Sequence, residues 1–528
     1  MAKITIDGVE HEFEEGKNLF EACAEANGEK LPHFCYHPGL SIAGVCRMCQ
    51  VEIEGVPKLV IACNAAVRDG MVVNTKTPRV RSTVQNILNF HLLHHPVDCP
   101  VCDQAGECSL QDFYMDHGLY DAEIDIDDKI DKGKVKPIGD LVMLDAERCV
   151  LCARCTRFTS EITKTHELGI FNRGNHSEID VAPGKTLDNN YSLNTVDICP
   201  VGALTSRDFR FRKRVWWLDV TDSVCPGCAT GCNMTIDHNE GTAYRFKPRE
   251  NPEVNDYWMC DHGRLLYKRI VTDARLEHPT VGVGEQREQS WWERAYRRVL
   301  ELAESRTLVF AGSPHATLEE LYALGRLAEA VDGRWLGARL SGTETGEGDD
   351  ILFSADRTPN AEGIRRLGAG EFTVEQLREA ATQENVLVVL ENDLAGLAAE
   401  DSVLDGFAAV VTIATDGTAT SDRAEVVLPT LKYAEKLGTF VNKDGRAQAL
   451  NAAFPGPAEA RDTIRIVRDL GEVFGHTFAW ADTAGVRGEI ASTVEGFGAI
   501  SGGIGPQGVA LDAGSVQPTP SGGEEAQA

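Results

Sequence analysis

Sixteen cysteines are the residues of this sequence whose type and spacing could do chemistry. Fifteen of them stand in spaced groups, the last is Cys260, and the C-terminal half contains none. Closely spaced thiolates in a chain without an export signal more often bind metal than form disulfides. The opening MAKITIDGVE lacks the charged and apolar segments of such a signal. The sequence therefore predicts metal chemistry confined to the N-terminal half.

Three groups supply four cysteines each. The first has the spacing C-x10-C-x2-C-x13-C, as in a ferredoxin loop with a lengthened first gap, and predicts a [2Fe–2S] cluster. The other two, C-x2-C-x2-C-x43-C and C-x2-C-x3-C-x27-C, predict one [4Fe–4S] cluster each. In chain order the groups are Cys35, Cys46, Cys49 and Cys63; Cys149, Cys152, Cys155 and Cys199; and Cys225, Cys228, Cys232 and Cys260. Four-cysteine zinc sites remain the alternative for the first and last groups.

A fourth group has only three cysteines, Cys99, Cys102 and Cys108. No spaced cysteine remains to complete it, so a histidine is the expected fourth ligand, from His91, His94 or His95. The preceding stretch NILNFHLLHH reads as helical, which would put His91 and His95 on one helix face. Zinc bound by three cysteines and one histidine is an equal alternative on this local pattern. Cys23 has no partner at ligand spacing and is expected to be a buried core residue.

The elements around these groups suggest an α+β N-terminal half and an α/β C-terminal half. KITI and VEHEF, joined by Asp7-Gly8, predict a hairpin, and a helix should follow from about Asn18 to Asn27. Hairpin, helix and cysteine loop together suggest a β-grasp ferredoxin domain. Later, RTLVFAG, NVLVVLEND and FAAVVTIATD read as buried strands, and the loops at Gly282 and Gly312 read as turns. From Ser501 the composition indicates a disordered tail.

Composition excludes several classes of protein. A net charge of −29 disfavours binding to nucleic acid, and no apolar run approaches the roughly 20 residues of a membrane span. No dinucleotide fingerprint, phosphate-binding loop or flavin motif is present. The basic aromatic stretch RDFRFRKRVWWL, 207–218, is expected to be a solvated connecting strand whose arginines could contact acidic neighbours or ease the charge on reduced clusters.

The ordered series of motifs resembles the large iron–sulfur subunit of NADH–quinone oxidoreductases (respiratory complex I), called the G-subunit in bacteria. HHPVDCPVCDQAGECSLQD looks like that family's histidine-ligated [4Fe–4S] motif, with the matching histidine at His95. RCVLCARCTRF and DICPVGALT look like its next motif, and the last four-cysteine group is similar to a cluster found in some bacterial members. More weakly, 422–448 looks like the family's molybdopterin-oxidoreductase-like domain, here shortened and expected to be a scaffold without molybdenum cofactor.

The resemblance implies a division into a [2Fe–2S] domain (1–80), a histidine-ligated segment (81–120), a [4Fe–4S] domain (121–217), a second [4Fe–4S] domain (218–274), a truncated molybdopterin-oxidoreductase-like domain (275–500) and a tail (501–528). It implies one [2Fe–2S] and three [4Fe–4S] clusters, and no complete active site in this chain alone. Electrons would come from a flavoprotein that oxidises NADH at FMN and pass toward quinone. Expected partners are that flavoprotein, a small [2Fe–2S] subunit and quinone-side iron–sulfur subunits, at the cytoplasmic face of the plasma membrane.

Two other classes of protein share part of this pattern. An iron–sulfur subunit of an NAD-linked formate dehydrogenase or hydrogenase complex would carry similar N-terminal clusters, but such enzymes typically add cysteines that are absent here. A zinc-binding scaffold is the third possibility. Iron near fourteen atoms per chain would support the electron-transfer protein, and about four zinc atoms would reject it.

Overall fold

The chain begins with the predicted hairpin. Strand β1 (Ala2–Ile6) pairs antiparallel with β2 (Val9–Phe13), and both turn residues, Asp7 and Gly8, have positive φ. Helix α1 (Leu19–Asn27) starts where Asn18 accepts a hydrogen bond from the Phe20 N–H and ends at Gly28, which is left-handed. The computed structural model describes residues 1–121, 124–270, 272–397 and 401–512, in two compact units, Met1–Leu218 and Asp219–Ala528.

The first unit contains three sheets and five helices in its described residues. A five-stranded sheet of order β2-β1-β5-β3-β4, in which β5 runs parallel to β1, packs against α1. The remaining elements, in chain order, are β3 (Gln50–Ile53), β4 (Val60–Ile61), β5 (Val72–Asn74), α2 (Pro78–Leu92), α3 (Ser109–His117), β6 (Lys136–Pro137), β7 (Val142–Leu144), α4 (Arg154–Glu161), β8 (Leu168–Phe171), β9 (Glu178–Val181), α5 (Asn194–Asp197) and β10 (Leu204–Ser206). Strands β10-β7-β6 form the second sheet, and β8 and β9 the third.

The second unit opens with an antiparallel sheet, β11-β12-β13, followed by a short helix. Their bounds are β11 (Asp219–Val224), β12 (Asn233–Asn239), β13 (Thr242–Pro248) and α6 (Asp261–Leu265). Beyond it lies a seven-stranded sheet of order β15-β14-β22-β21-β20-β16-β17, whose last five members run parallel. Parallel strands buried on both faces need apolar residues throughout, as in NVLVVL and AVVTIA.

The strands of this unit are β14 (Thr280–Val281), β15 (Glu288–Gln289), β16 (Thr307–Ala311), β17 (Arg334–Gly337), β18 (Arg339–Leu340), β19 (Glu371–Phe372), β20 (Asn385–Leu390), β21 (Ala409–Ala414), β22 (Val426–Pro429), β23 (Gly438–Val441), β24 (Arg446–Leu450) and β25 (Val509–Ala510). The helices are α7 (Trp292–Ala303), α8 (Leu318–Ala330), α9 (Ala361–Arg366), α10 (Val374–Ala380), α11 (Leu394–Leu397), α12 (Ala419–Arg423), α13 (Thr463–Val473) and α14 (Thr483–Thr493). The predicted mixed α/β character of this half is confirmed.

Three sequence-based predictions differ from the structure. The chain is not disordered from Ser501 onward, because β25 pairs with β24 and Leu511 is buried; residues 513–528 lie outside the described part. The stretch 207–218 is not a connecting strand: its backbone and side chains bind the loop at 100–103 through hydrogen bonds from the Phe211 N–H and the Arg214 guanidinium. Helix α2 ends at Leu92, so His91 and His95 do not share a helix face.

Candidate metal centres

Three cysteines of the first group lie in the loop that leads from α1 into β3, and the fourth, Cys63, lies in a short 3-10 helix after β4. All four thiols are buried, and their sulfurs lie in mutual contact: Cys35 with Cys46 and Cys63, and Cys49 with Cys63. The Phe34 N–H donates to the Cys46 sulfur at 3.4 Å. Hydrogen bonds from the Cys46 and Cys63 thiols hold the pKa of Cys35 well below its ordinary value. Buried sulfurs this close, with N–H groups directed at them, fit a cluster ligated by thiolates.

The group at 149–199 encloses a small cavity. Cys149, Cys152, Cys155 and Cys199 line it together with apolar side chains, including Val150 and Leu204. Burial, together with the charge of thiolates in the same group, raises the pKa of Cys149 to about 12 and that of Cys152 to about 11. Burying several unpaired thiolates side by side is costly, and bound iron would remove that cost by its positive charge.

Backbone N–H groups converge on this cavity. The Leu151 N–H donates to the Cys149 sulfur at 3.4 Å, and the N–H groups of Val201, Ala203 and Leu204 donate to the sulfur of Cys199. Leu151 and Ala153 have φ of 52° and 61°, a conformation that costs a residue with a side chain of order 1 kcal/mol or more. The surrounding structure therefore forces this loop to turn its N–H groups toward the sulfurs.

The last cysteine group lies between β11 and α6. All four sulfurs are buried, and the Gly263 N–H donates to the Cys260 sulfur at 3.3 Å. A Cβ added at Gly263 would lie 2.9 Å from the sulfur of Cys225 and 3.5 Å from that of Cys260. Burial raises the pKa of Cys260 to about 12. The close glycine leaves room around the thiols, and the four-cysteine set fits a [4Fe–4S] cluster.

The group with three cysteines lies in the loop between α2 and α3. Cys99, Cys108 and His95 line one cavity of about 610 Å³, with Leu92, Tyr114 and Ile124 among its apolar residues. Burial lowers the pKa of His95 to about 4, so its imidazole is neutral, as a metal ligand must be. The Val97 N–H donates to its Nδ1 at 3.0 Å, which puts the ring proton on Nε2; a ligand bond from Nε2 would require that proton to move to Nδ1.

The other two histidines have different surroundings. His91 contacts the carbonyl oxygen of Cys46 through Nε2 at 3.3 Å and packs edge-on against Phe34, so it belongs to the first cysteine group's loop. His94 lies within 3.4 Å of the Ile130 N–H through Nδ1. Neither lines the cavity that Cys99 and Cys108 share with His95.

Charged and small residues that the sequence analysis did not single out surround these centres. Arg148 is buried, binds Asp98 at 2.6 Å and lies 3.3 Å from Asp145. Gly202 lies against Cys102, and Arg154 is a buried cation. Arg148 and Arg154 directly precede Cys149 and Cys155 in the sequence, which was the available signal, but that position does not show that either arginine is buried. Cys23 is fully buried in the core of α1, and burial raises its pKa to about 12, which confirms the structural role.

The described residues contain neither a site for a single metal ion nor a helix that could span a membrane. Among the residues that the structure describes, no three His, Cys, Asp or Glu side chains are arranged to bind one metal ion together. None of the helices in the described ranges has the length and apolarity that a membrane span requires.

Three sets of four cysteines, and a fourth set of three beside a neutral imidazole, have buried or half-buried thiols, and such sets are typical of a multi-centre iron–sulfur protein. Known sequence families match the same segments: a 2Fe-2S iron-sulfur cluster binding domain at 1–78, the NADH-ubiquinone oxidoreductase-G iron-sulfur binding region at 85–123, the ferredoxin-like domain of NADH-quinone oxidoreductase subunit 3 at 139–205, the molybdopterin oxidoreductase Fe4S4 domain at 218–271, and molybdopterin oxidoreductase at 367–473.

Relatives with assigned names point to one component of that oxidoreductase. The NADH-quinone oxidoreductase G-subunit of Rickettsia conorii is 37% identical over 335 residues, which are 63% of this chain and 49% of the relative. The G-subunit of Streptomyces coelicolor is 39% identical over 63% of this chain and 40% of its own length. The mitochondrial NADH-ubiquinone oxidoreductase 78 kDa subunit of Neurospora crassa is 39% identical over 56% of this chain and 40% of its own.

These matches confirm the resemblance to the large iron–sulfur subunit of NADH–quinone oxidoreductase. The chain spans about half the length of the curated relatives it matches. A chain in a solved structure titled "Crystal structure of NAD+-reducing [NiFe]-hydrogenase in the H2-reduced state" is 27% identical, covers 40% of this chain and 91% of that chain, and has a TM-score of 0.37.

Proposed function

We propose that this chain is an electron-transfer subunit of an NADH–quinone oxidoreductase. When bound, its iron–sulfur clusters would accept and pass on single electrons, on the way from an FMN-containing NADH-oxidising subunit toward quinone. The observation that carries the proposal is the set of four cysteine groups, each of which lies in a segment matched by an iron–sulfur family. The protein's own residues bind the clusters, exclude water and direct N–H groups at the sulfurs.

The ligand assignment is one [2Fe–2S] and three [4Fe–4S] clusters. The [2Fe–2S] ligands are Cys35, Cys46, Cys49 and Cys63; the [4Fe–4S] sets are His95, Cys99, Cys102 and Cys108; Cys149, Cys152, Cys155 and Cys199; and Cys225, Cys228, Cys232 and Cys260. His95 is assigned rather than His91 because it shares a cavity with Cys99 and Cys108, whereas His91 contacts the backbone of Cys46.

We propose the domain division that the motifs predict. The sheet order β2-β1-β5-β3-β4 supports the first of these domains, the β-grasp ferredoxin domain at 1–80. The segment 275–500 is proposed to be a scaffold related to molybdopterin oxidoreductases that carries no molybdenum cofactor. Its support is the match at 367–473 together with the lack of any cysteine after Cys260 in the sequence.

The proposed partners are the flavoprotein, a small [2Fe–2S] subunit and quinone-side iron–sulfur subunits. The proposed location of the chain is the cytoplasmic face of the membrane, as a peripheral subunit.

The test is anaerobic purification of the complex from cells that carry a tagged chain. We expect about fourteen iron atoms from this chain in addition to the iron of copurified iron–sulfur partners, copurification of a flavoprotein, and EPR signals from the clusters after reduction with NADH. About four zinc atoms in a colourless protein would reject all of the cluster assignments. Reduction by hydrogen or formate, in addition to NADH, would instead favour a subunit of an NAD-linked hydrogenase or formate dehydrogenase complex.

A further inference from the structure

One buried cation lies between two of the centres. Arg154 is the first residue of α4, between Cys152 and Cys155, and its side chain is only 8% exposed. Its Nη1 donates to the carbonyl oxygen of Ile198 at 3.1 Å, and its Nη2 donates to the carbonyl oxygen of Tyr36 at 2.5 Å. Ile198 directly precedes the ligand Cys199, and Tyr36 directly follows the ligand Cys35. The guanidinium therefore joins the backbone next to one ligand of each group.

The charge of Arg154 has no carboxylate partner in the described part of the chain. Burial lowers the pKa of Arg154. Four thiolates oppose this and stabilise its charged form: those of Cys152 and Cys199 in one centre, and those of Cys35 and Cys46 in the other. Its Nε has no hydrogen-bond acceptor among the described residues. A buried arginine without a carboxylate is costly, because its charge is removed from water without compensation. Negative charge at the two centres would supply that compensation.

The field of Arg154 extends across the loop of the first centre. Burial, followed by the Arg154 charge, lowers the pKa of His37 to about 3, and burial with a smaller contribution from Arg154 lowers that of His33 to about 4. Arg157, one turn further along α4, donates to the carbonyl oxygen of Cys35 and stays partly exposed. Arg157 also donates to the carbonyl oxygen of Ala153, so both arginines reach the two ligand segments, and Arg154 is the buried one of the pair.

We propose that Arg154 is a positioning residue shared by two centres, whose guanidinium stabilises the reduced form of both the cluster at Cys35, Cys46, Cys49 and Cys63 and the cluster at Cys149, Cys152, Cys155 and Cys199. This rests on the proposed function, since it requires both clusters. Reduction adds one electron, and hence one negative charge, to a centre without forming or breaking a bond. A fixed positive charge in a water-poor site favours that state and raises the midpoint potential.

The experiment is a redox titration of the full chain with its clusters, followed by EPR, for Arg154→Gln and Arg154→Lys. In Arg154→Gln, the ratio of reduced to oxidised cluster at a fixed potential should fall about tenfold or more at both centres, which is a shift of about 59 mV to lower potential. Arg154→Lys keeps the charge and should shift both potentials by less than half as much. The other two centres should keep their potentials.

Arg79→Gln is the matched control, because it removes a guanidinium from the same unit, where Arg79 is half exposed and pairs with Glu52. It should shift no potential. Unchanged potentials in Arg154→Gln, a shift at one centre only, or an equal shift in the Lys variant would each overturn the proposal. If Arg154→Gln assembles no clusters, normal assembly in Arg154→Lys supports a role of the positive charge. Failure of both variants to assemble clusters overturns the proposal. A wild-type chain without iron would refute the proposed function itself, which is a distinct result.

Discussion

Gly202 lies directly against the sulfur of Cys102: a Cβ at Gly202 would overlap the Cys102 Sγ and lie 3.1 Å from the Cβ of Gln104. Gly202 belongs to the segment that follows the ligand Cys199, whereas Cys102 belongs to the histidine-containing group. A further link is the Ser109 N–H, which donates to the carbonyl oxygen of Pro200 at 2.9 Å. The two ligand groups are therefore packed together through one short segment, 199–203.

The first prediction concerns this contact. Gly202→Ala should disturb the His95-containing centre, because the new methyl group overlaps the Cys102 sulfur and the backbone around it must shift. We expect the loss of up to about four of the fourteen iron atoms, with the EPR signal of that centre lost or altered first. Gly133→Ala is the control, since a Cβ there meets no atom within 4 Å. Full iron content and an unchanged spectrum in Gly202→Ala would contradict the predicted overlap.

The second prediction separates His95 from His91. His95→Ala should alter the EPR signal of the Cys99, Cys102 and Cys108 centre alone, because His95 lines that cavity and is the proposed nitrogen ligand. His91→Ala should leave this signal unchanged and affect at most the [2Fe–2S] centre, whose loop it contacts at the Cys46 carbonyl oxygen. The assignment is wrong if the two variants give the opposite pattern.

The third prediction concerns the buried ion pairs of Arg148. Its guanidinium binds Asp98 at 2.6 Å and lies 3.3 Å from Asp145, whose two carboxylate oxygens make no hydrogen bond in the described part of the chain. Arg148→Met leaves the buried Asp145 without its cation and should lower local stability by about 3–5 kcal/mol. Hydrogen exchange of β7, which directly precedes Asp145, would measure this loss.

Two variants control for the third prediction. Arg79→Met removes a half-exposed pair with Glu52 and should cost less than about 1 kcal/mol. Adding Asp145→Asn to Arg148→Met removes the uncompensated charge and should recover part of the lost protection. If the double variant is no more protected than Arg148→Met alone, the charge on Asp145 is not the cause.

The fourth prediction is a pH dependence in the second unit. Burial, with the nearby Glu320 charge, raises the pKa of Glu391 from 4.5 to about 7, although Lys436 at 3.5 Å opposes this. A carboxyl whose folded-state pKa is raised contributes stability that is fully present below pH 4.5 and is lost as the pH rises through 7. The free energy of unfolding should therefore fall by about 3 kcal/mol over this pH range, since one pKa unit corresponds to about 1.4 kcal/mol.

Hydrogen exchange of β20, corrected for the intrinsic rate, would measure this effect at pH 5 and pH 8. Wild-type protection should fall between these values, and Glu391→Gln should fall less, because its amide cannot ionise. Part of the fall should remain in the variant, since burial also raises the pKa of Asp462 to about 6. Protection that is equal at both pH values in the wild type would refute the raised pKa of Glu391.

Much of this protein follows from its sequence. The ligand residues are recognisable because a cluster needs several thiolates close together, and each of the four groups carries at least two ligands within a few residues. The opening hairpin and the capped helix α1 were predicted correctly, because Asp7-Gly8 and Gly28 act through local backbone preferences. The buried strands of the parallel sheet were also predicted correctly, since continuous apolar runs of this length have few alternatives.

The tertiary structure alone decided the rest. Arg154 contacts the segments of two centres across 118 and 44 residues of chain, and Gly202 meets a sulfur of a group that its own motif does not include. The end of α2 at Leu92 separated His91 from His95, and β25 formed from a segment whose composition indicates disorder. Such contacts depend on how distant segments pack, and burial of a charge or a close approach of two atoms leaves no periodic pattern along the chain.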